Sequence, residues 1–240
     1  MNYKKISIQD LLVEVGRNCN MRCDHCLRGE PENLEIDFKD VKTLLDQVEF
    51  IGAITFTGGE PFLYPQKIIQ VIDYIMEQEI SCGGFYISTN GSVFNMTLME
   101  KLCEFYLYID PDEDFQCRID VSRDLFHQEQ TPKPKKLFSL FTFAGVRGET
   151  TNPDYMILEG RAAENGIGGK GRALDYSMEF SLDSDCVEMV YLNALGQVLP
   201  DCDYSYDSQR NMEPMSIREH SLEEIVLTYH HEEEVLDIAV

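Results

Sequence analysis

The stretch RNCNMRCDHCLRG, residues 17–29, places three cysteines within eight positions directly after an apolar run. Cys19, Cys23 and Cys26 follow a C-x3-C-x2-C spacing. Thiolates are soft ligands that select zinc, copper(I) or iron–sulphur clusters. A structural zinc site needs four ligands, usually two separated C-x2-C pairs, whereas no second pair follows here and His25 is poorly placed as a fourth ligand. Three cysteines on one short loop suit three corners of a cubane cluster whose fourth iron stays open.

Length, composition and charge limit the classes of protein to which this chain could belong. The 240 residues, 43% of them hydrophobic, predict one globular domain or a domain with a short appendage. A net charge of −23 disfavours binding to nucleic acid and to anionic membrane surfaces. The chain has neither an apolar run of about eighteen residues nor a signal peptide, so no membrane segment is predicted. Eight cysteines in close spacings then favour metal or redox use in a reducing cytoplasm.

Strand and helix patterns alternate through the first half of the chain. Asp37 and Asn95 are placed to cap the first and third of the predicted helices. The predicted strands cover 10–15, 52–57, 84–89 and 117–122, and the predicted helices cover 37–50, 65–78 and 95–106. Such alternation is typical of right-handed βαβ units around a parallel sheet.

The pattern is looser in the second half. Residues 136–145 fit either a helix or a strand, and residues 154–160 predict a fifth strand. Residues 187–201 predict a hairpin with NALG at its turn. The acidic stretch 216–240 predicts one amphipathic helix or two short ones. We expect a core domain over 1–202 and an acidic C-terminal extension over 203–240.

The cysteine loop after the first strand resembles that of the radical S-adenosylmethionine (radical SAM) superfamily, whose hallmark is a C-x3-C-x2-C loop. The resemblance implies a partial (β/α)6-type TIM barrel and a 4Fe-4S cluster on Cys19, Cys23 and Cys26. The family usually has an aromatic residue before the last cysteine. His25 fills that position here, and it either contacts the cofactor or serves only in packing.

A second motif, FTGGEP at residues 56–61, ends the second predicted strand and resembles the GGE motif of the same superfamily. The resemblance implies that Gly58, Gly59 and Glu60 bind the methionine amino group of S-adenosylmethionine. The expected physical reason is that glycine lets the backbone approach a ligand closely.

Two further stretches resemble the superfamily more weakly. STNG (88–91) and VSRD (121–124) end the third and fourth predicted strands. They imply cofactor contacts for Asn90, Ser122 and Arg123, although Arg123 departs from the SLDG-like stretch that is usual there. Arg161, in a segment predicted to end the fifth strand, either faces the barrel lumen or pairs with surface carboxylates.

The remaining cysteines receive other expectations. Cys186 and Cys202 flank the predicted hairpin, which resembles the start of the auxiliary-cluster (SPASM or twitch) motif. Five residues instead of four follow Gly196 before the cysteine, and no later cysteine exists. We therefore expect a relic of that motif, or a wall beside the substrate, in preference to a second cluster. The other three, Cys82, Cys103 and Cys117, fit element interiors and are predicted to pack.

The resemblance also implies a reaction. S-adenosylmethionine would bind the open iron, an electron from flavodoxin or ferredoxin would cleave it, and the 5′-deoxyadenosyl radical would abstract hydrogen from a substrate. A peptide or protein side chain is favoured over a small metabolite. The predicted first strand begins near residue 10, and a short stretch follows the hairpin. We therefore expect no fused leader-peptide-binding domain and no large accessory domain. The alternatives are a non-catalytic metal- or cluster-binding module and a glycyl-radical activase.

Overall fold

A mostly parallel sheet flanked by helices runs through the chain. The structure, a computed structural model, describes residues 5–109, 116–127, 132–147, 152–170, 174–183 and 186–230. The strands are β1 (Ile6–Gly16), β2 (Val48–Gly58), β3 (Ser81–Thr89), β4 (Cys117–Ser122), β5 (Ala144–Arg147), β6 (Leu182–Asp183), β7 (Cys186–Leu192) and β8 (Val198–Leu199). The helices are α1 (Phe38–Leu45), α2 (Pro65–Glu77), α3 (Met96–Tyr108), α4 (Pro132–Phe138), α5 (Gly160–Glu164), α6 (Tyr206–Asn211) and α7 (Leu222–Tyr229).

The strands are ordered β5-β4-β3-β2-β1-β7-β6 across the sheet, with β8 paired to β7. Among the described residues, β1 to β5 and β7 pair in parallel, while β6 and β8 lie antiparallel to β7. Six parallel strands in an open sheet confirm the partial (β/α)6 prediction. The sixth parallel strand lies beside β1. The predicted hairpin therefore contributes its first strand to the main sheet.

Five of the helices, α1, α2, α3, α4 and α7, share a core with this sheet. Leu11, Val13 and Val15 are alternate residues of β1. They lie in a large apolar core together with Ile54 and Phe56 of β2. The predicted caps are confirmed, because the Asp37 side chain accepts from the amide of Lys39 and the Asn95 side chain from that of Leu98.

Two predicted elements are corrected. The helix predicted over 37–50 ends at Leu45, because the β-branched and aromatic run from Val48 joins the sheet as β2. The strand predicted over 154–160 is wrong. A single 3₁₀ turn at Pro153–Tyr155, capped by Asn152, precedes α5 instead. The ambiguous 136–145 stretch contains the end of α4 and the start of β5.

The C-terminal stretch forms α7, and the part of the predicted helix over 231–240 lies outside the described residues. None of the helices in the described part of the chain has both the length and the apolar character needed to cross a bilayer. The carboxyl ends of β1 to β4, at Gly16, Gly58, Thr89 and Ser122, meet at one edge of the sheet. All the predicted site motifs follow these ends, which is where parallel sheets and barrels place their active sites.

Candidate functional site

Backbone hydrogen bonds join the GGE turn to the chain that enters the cysteine loop. The amide of Gly59 donates to the carbonyl of Gly16 at 2.9 Å, and the amide of Glu60 donates to that of Asn18 at 3.0 Å. The hydroxyl of Tyr64 accepts from the amide of Asn18 at 2.8 Å. The end of β2 therefore fixes the path of the chain that enters the cysteine loop.

The two glycines are required by this contact. Gly58 has a φ of 135°, and a β-carbon there would meet the carbonyl group of Gly16. A β-carbon on Gly59 would lie 2.9 Å from the carbonyl oxygen of Arg17 and closer still to that of Asn18. The β-carbon positions therefore face the chain that enters the cysteine loop, and close approach to a ligand stays a prediction.

The three cysteines of the loop are half-buried and free of disulfides. Burial, followed by the neighbouring thiols of Cys26 and Cys19, raises the pKa of Cys23 to about 12. Burial also raises the pKa of Cys19, whose sulphur accepts from the amide of Met21 at 3.4 Å. A cationic metal centre would stabilise the ionised forms of Cys19 and Cys23, which burial disfavours.

The thiols of the loop are suitable donors for an iron–sulphur cluster. Four ligands at about 2.3 Å from one tetrahedral zinc lie about 3.8 Å from one another. Two groups of side chains in the described part of the chain bring three ligand atoms within 4.8 Å of one another, and Cys19, Cys23 and Cys26 are not among them. At least one pair of these thiols therefore lies more than 4.8 Å apart, and three soft thiolate donors are the type of ligand that a 4Fe-4S group takes.

Glu60 is 1% exposed, and its carboxylate accepts three hydrogen bonds. The donors are the hydroxyl of Thr89 at 2.6 Å and the amides of Asn90 at 2.8 Å and Phe62 at 3.1 Å. Burial raises the pKa of Glu60, and the three bonds oppose that shift. The carboxylate therefore joins the end of β2 to the end of β3.

Asn90 continues this chain of contacts back to the cysteine loop. Its amide nitrogen donates to the side-chain oxygen of Asn20 at 2.9 Å and lies 4.0 Å from the sulphur of Cys19. Its oxygen accepts from the amide of Ser92 at 2.9 Å. Asn90 thus lies beside the first predicted ligand, where it holds the loop.

Ser122 and Arg123 lie at the carboxyl end of β4. Arg123 is exposed, and its charge contributes, after burial, to a lowered pKa of Lys135. Lys135 in turn donates to the carbonyl of Ser122 at 3.4 Å. These side chains bring two positive charges to one edge of a strongly acidic chain.

Arg161 lies against the cysteine loop. Its amide donates to the carbonyl of Cys26 at 2.9 Å, and its guanidinium approaches Asp24 at 3.4 Å and Glu30 at 3.7 Å. The predicted pairing with carboxylates is therefore present, on residues that flank the cysteines.

The ring of His25 packs against the segment that follows β4. It stacks on Phe126 with centroids 4.1 Å apart and meets the ring of His127 edge-on at 5.2 Å. Its Nδ1 is buried and finds no hydrogen-bond partner among the described residues. The contacts with Phe126 and His127 were not expected, because nothing in the sequence pattern links these positions.

A buried charge network beneath the loop was also missed. Arg17 is fully buried, and it donates to Glu14 at 3.0 Å, Glu32 at 3.2 Å and Gln209 at 2.6 Å. Its guanidinium lies over the ring of Tyr206 at 4.4 Å. The adjacency of Arg17 to the first cysteine was the available signal, but its partners come from distant segments.

The two hairpin cysteines are not equally placed. Burial raises the pKa of Cys202 to about 11, and its sulphur approaches a carboxylate oxygen of Asp203 at 3.8 Å. Cys186 begins β7 and is half-buried. The expectation that they do not hold a second cluster remains a prediction.

Comparisons with known proteins agree with this geometry. The sequence model of the Radical SAM superfamily matches residues 13–114, which contain both the cysteine loop and the GGE turn. Over these residues the chain is similar to the radical SAM superfamily.

Two curated relatives match with similar identity. An uncharacterized protein of Methanocaldococcus jannaschii is 32% identical over 137 residues, which cover 55% of this chain and 46% of that protein. The GTP 3′,8-cyclase of Aliarcobacter butzleri is 30% identical over 135 residues, which cover 51% of this chain and 36% of the cyclase. The matched region thus spans less than half the length of these relatives.

The fold is shared with a solved structure. The Streptococcus suis protein SuiB, bound to S-adenosylmethionine, superposes with a TM-score of 0.54 at 14% identity. The superposition covers 95% of this chain and 64% of SuiB. This likeness shows that the chain and SuiB share a fold.

Proposed function

We propose that the chain is a radical SAM enzyme that holds a 4Fe-4S cluster on Cys19, Cys23 and Cys26. The observation that carries the proposal is the direct bonding of the cysteine loop to the GGE turn at the edge where the strands end. When bound, the cluster would supply the electron that splits S-adenosylmethionine into methionine and a 5′-deoxyadenosyl radical, which takes a hydrogen atom from the substrate.

The protein's own residues position these groups. Gly58, Gly59 and Glu60 hold the entry of the cysteine loop, and Asn90 supports the loop beside Cys19. These residues would serve cofactor binding indirectly, by holding the cysteine loop in place. The Glu60 carboxylate already accepts three hydrogen bonds from the protein.

The charged edge near β4 would receive the anionic end of the cofactor. Arg123 and Lys135 bring positive charge next to Ser122. A guanidinium suits a carboxylate because it offers several donors in a fixed plane. His25, stacked on Phe126, would close the side of the cysteine loop.

The electron donor would be flavodoxin or ferredoxin, and the compartment the cytoplasm. Support comes from the eight cysteines, all of which are free in the structure. Free thiols persist in a reducing compartment.

The substrate would be a peptide or protein side chain. Support comes from the open sheet, in which β5 and β6 lie at opposite edges. On its inner face, Asp120 accepts from Arg118 at 2.6 Å and from the hydroxyl of Tyr86 at 3.1 Å, so a half-exposed guanidinium is held in place. A small metabolite is the alternative, and the relative named GTP 3′,8-cyclase favours it.

Anaerobic reconstitution with iron and sulphide tests the proposal. We expect about four irons per chain and production of 5′-deoxyadenosine after reduction with S-adenosylmethionine present. Replacing Cys19, Cys23 and Cys26 together by alanine should abolish both. The control Cys103→Ala, on α3, should keep both. Stoichiometric zinc without sulphide would instead support the non-catalytic module.

The class of substrate can be tested by isotope transfer. The reconstituted protein would be given deuterated cell extract separated into a peptide fraction and a small-molecule fraction. Deuterium should enter 5′-deoxyadenosine with the peptide fraction. Transfer from the small-molecule fraction alone would contradict the peptide assignment, and a glycyl radical formed on a partner protein would indicate an activase.

A further inference from the structure

A second group of ligand-type side chains lies beside the cysteine loop. His25, Asp124 and His127 each bring one ligand atom within 4.8 Å of the others. His25 belongs to the cysteine loop, whereas Asp124 and His127 follow β4, so two segments far apart in sequence meet here. The other such group in the described ranges consists of the consecutive residues 201–203.

The three side chains are held in place by their surroundings. His127 Nδ1 and Asp124 Oδ1 are 2.7 Å apart, and the amide of Phe126 donates to the same oxygen at 2.9 Å. Phe126 stacks on His25, whose ring stands at 83° to that of His127. The side chains of His127 and Asp124 are 12% and 11% exposed.

One nitrogen at this point lacks a partner. His25 Nδ1 is buried and accepts or donates no hydrogen bond among the described residues. Burying a polar group without a partner costs free energy, and native structures rarely leave such a group unexplained. A metal ion that His25 binds through Nδ1 would give this nitrogen a partner.

We propose that His25, Asp124 and His127 bind a divalent transition-metal ion of the zinc or ferrous class, separate from the metal held by the cysteines. Two imidazoles and one carboxylate form the donor set that such ions prefer, whereas calcium and magnesium prefer oxygen alone. Three ligands of a tetrahedral ion lie about 3.3 Å apart, a distance that small side-chain rotations would reach here.

The ion would connect the cysteine loop to the segment after β4. Three protein ligands leave at least one coordination position open for water or another ligand. The site stands on geometry that involves none of the three cysteines, so it does not depend on the proposed reaction.

Zinc content of the full chain, with its iron–sulphur cluster reconstituted, tests the proposal. After anaerobic incubation with Zn²⁺ and desalting, we expect one zinc per chain in the wild type. His127→Ala and Asp124→Asn should each bind zinc at least ten-fold more weakly in competition with a chelator. The control His220→Ala, which removes a half-exposed histidine paired with Glu224, should bind zinc like the wild type. Iron content should be equal in all four proteins.

X-ray absorption at the zinc edge of the loaded wild type keeps the test decisive if a variant misfolds. We expect only nitrogen and oxygen ligands at about 2.0–2.2 Å. A sulphur shell at about 2.3 Å would overturn the proposal, because cysteines would then hold the zinc. Absence of zinc from the wild type, or full retention by both variants, would overturn it as well.

Discussion

Replacing Gly59 by alanine perturbs the contact between the GGE turn and the cysteine loop. A β-carbon at Gly59 would lie 2.7 Å from the carbonyl carbon of Asn18 and 2.9 Å from the carbonyl oxygen of Arg17. Both are backbone atoms, so neither can rotate away. Carbon–oxygen contacts in proteins settle at about 3.3 Å or more. The carbonyl oxygen of Asn18 would lie closer still to the β-carbon, so the chain directly before Cys19 must move by about 1 Å to restore a normal contact.

The expected magnitude follows from this displacement. Forcing an extra carbon into a packed site costs about 1–3 kcal/mol of unfolding free energy. Disturbing groups that support metal ligands lowers metal affinity by about 10- to 100-fold. Gly59→Ala should therefore lose about 1–3 kcal/mol of unfolding free energy. Its iron content after reconstitution should fall below half of the wild-type value.

Chemical denaturation and iron analysis measure the two effects. Gly145→Ala is the matched control, because a β-carbon there meets nothing within 4 Å. It should keep its iron and change stability by about 0.5 kcal/mol or less. If Gly59→Ala keeps full iron and stability and only binds S-adenosylmethionine more weakly, the glycine faces the cofactor and the reasoning from the loop contact is refuted.

Three further changes test the surroundings of the site. Glu60→Gln leaves one buried amide donor without an acceptor, so denaturation should show a loss of about 1–3 kcal/mol. Arg17→Met leaves the buried Glu14 carboxylate without its cationic partner and with only the amide of Ala194, and the same measurement should show a loss of about 3–5 kcal/mol. The double change Cys186→Ala and Cys202→Ala should leave iron near four per chain, and loss of half of the iron would reveal a second cluster.

The sequence predicted best where pattern and local chemistry agree. The strands of the first half carry short apolar runs, and the capped helices between them show clear helical periods. The cysteine spacing led directly to the proposed metal ligands, because ligand type and number restrict the possible centres.

The errors have physical causes. Residues 154–160 contain an apolar run, but Asn152 and Pro153 begin a turn, and Leu158 stays about half exposed. The helical spacing of apolar residues in α1 continues beyond Leu45. Val48 is nevertheless part of a strand, because it is buried in the sheet. Tertiary context overrides local preference at both places.

The role of the glycines could not be derived from sequence for a different reason. A GG pair shows that the backbone is approached closely, but it does not say by what. At Gly58 and Gly59 the approaching group is the cysteine loop itself. The same limit applies to His25, whose neighbours Phe126 and His127 come from a segment that no local pattern connects to it.

The ends of the cysteine loop rest on two buried arginines. Arg17 lies over Tyr206, and Arg28 lies over the ring of Tyr191 at 5.3 Å and donates to the carbonyl of Tyr204 at 2.8 Å. The two arginines thus contact three tyrosines that lie outside residues 13–114, the region that the superfamily model matches. A loop that carries thiolates gains from nearby fixed positive charge, since burial alone disfavours ionised thiols. A division at residue 202 would separate Arg17 from Tyr206 and Arg28 from the carbonyl of Tyr204, whereas Tyr191 would stay on the side of Arg28.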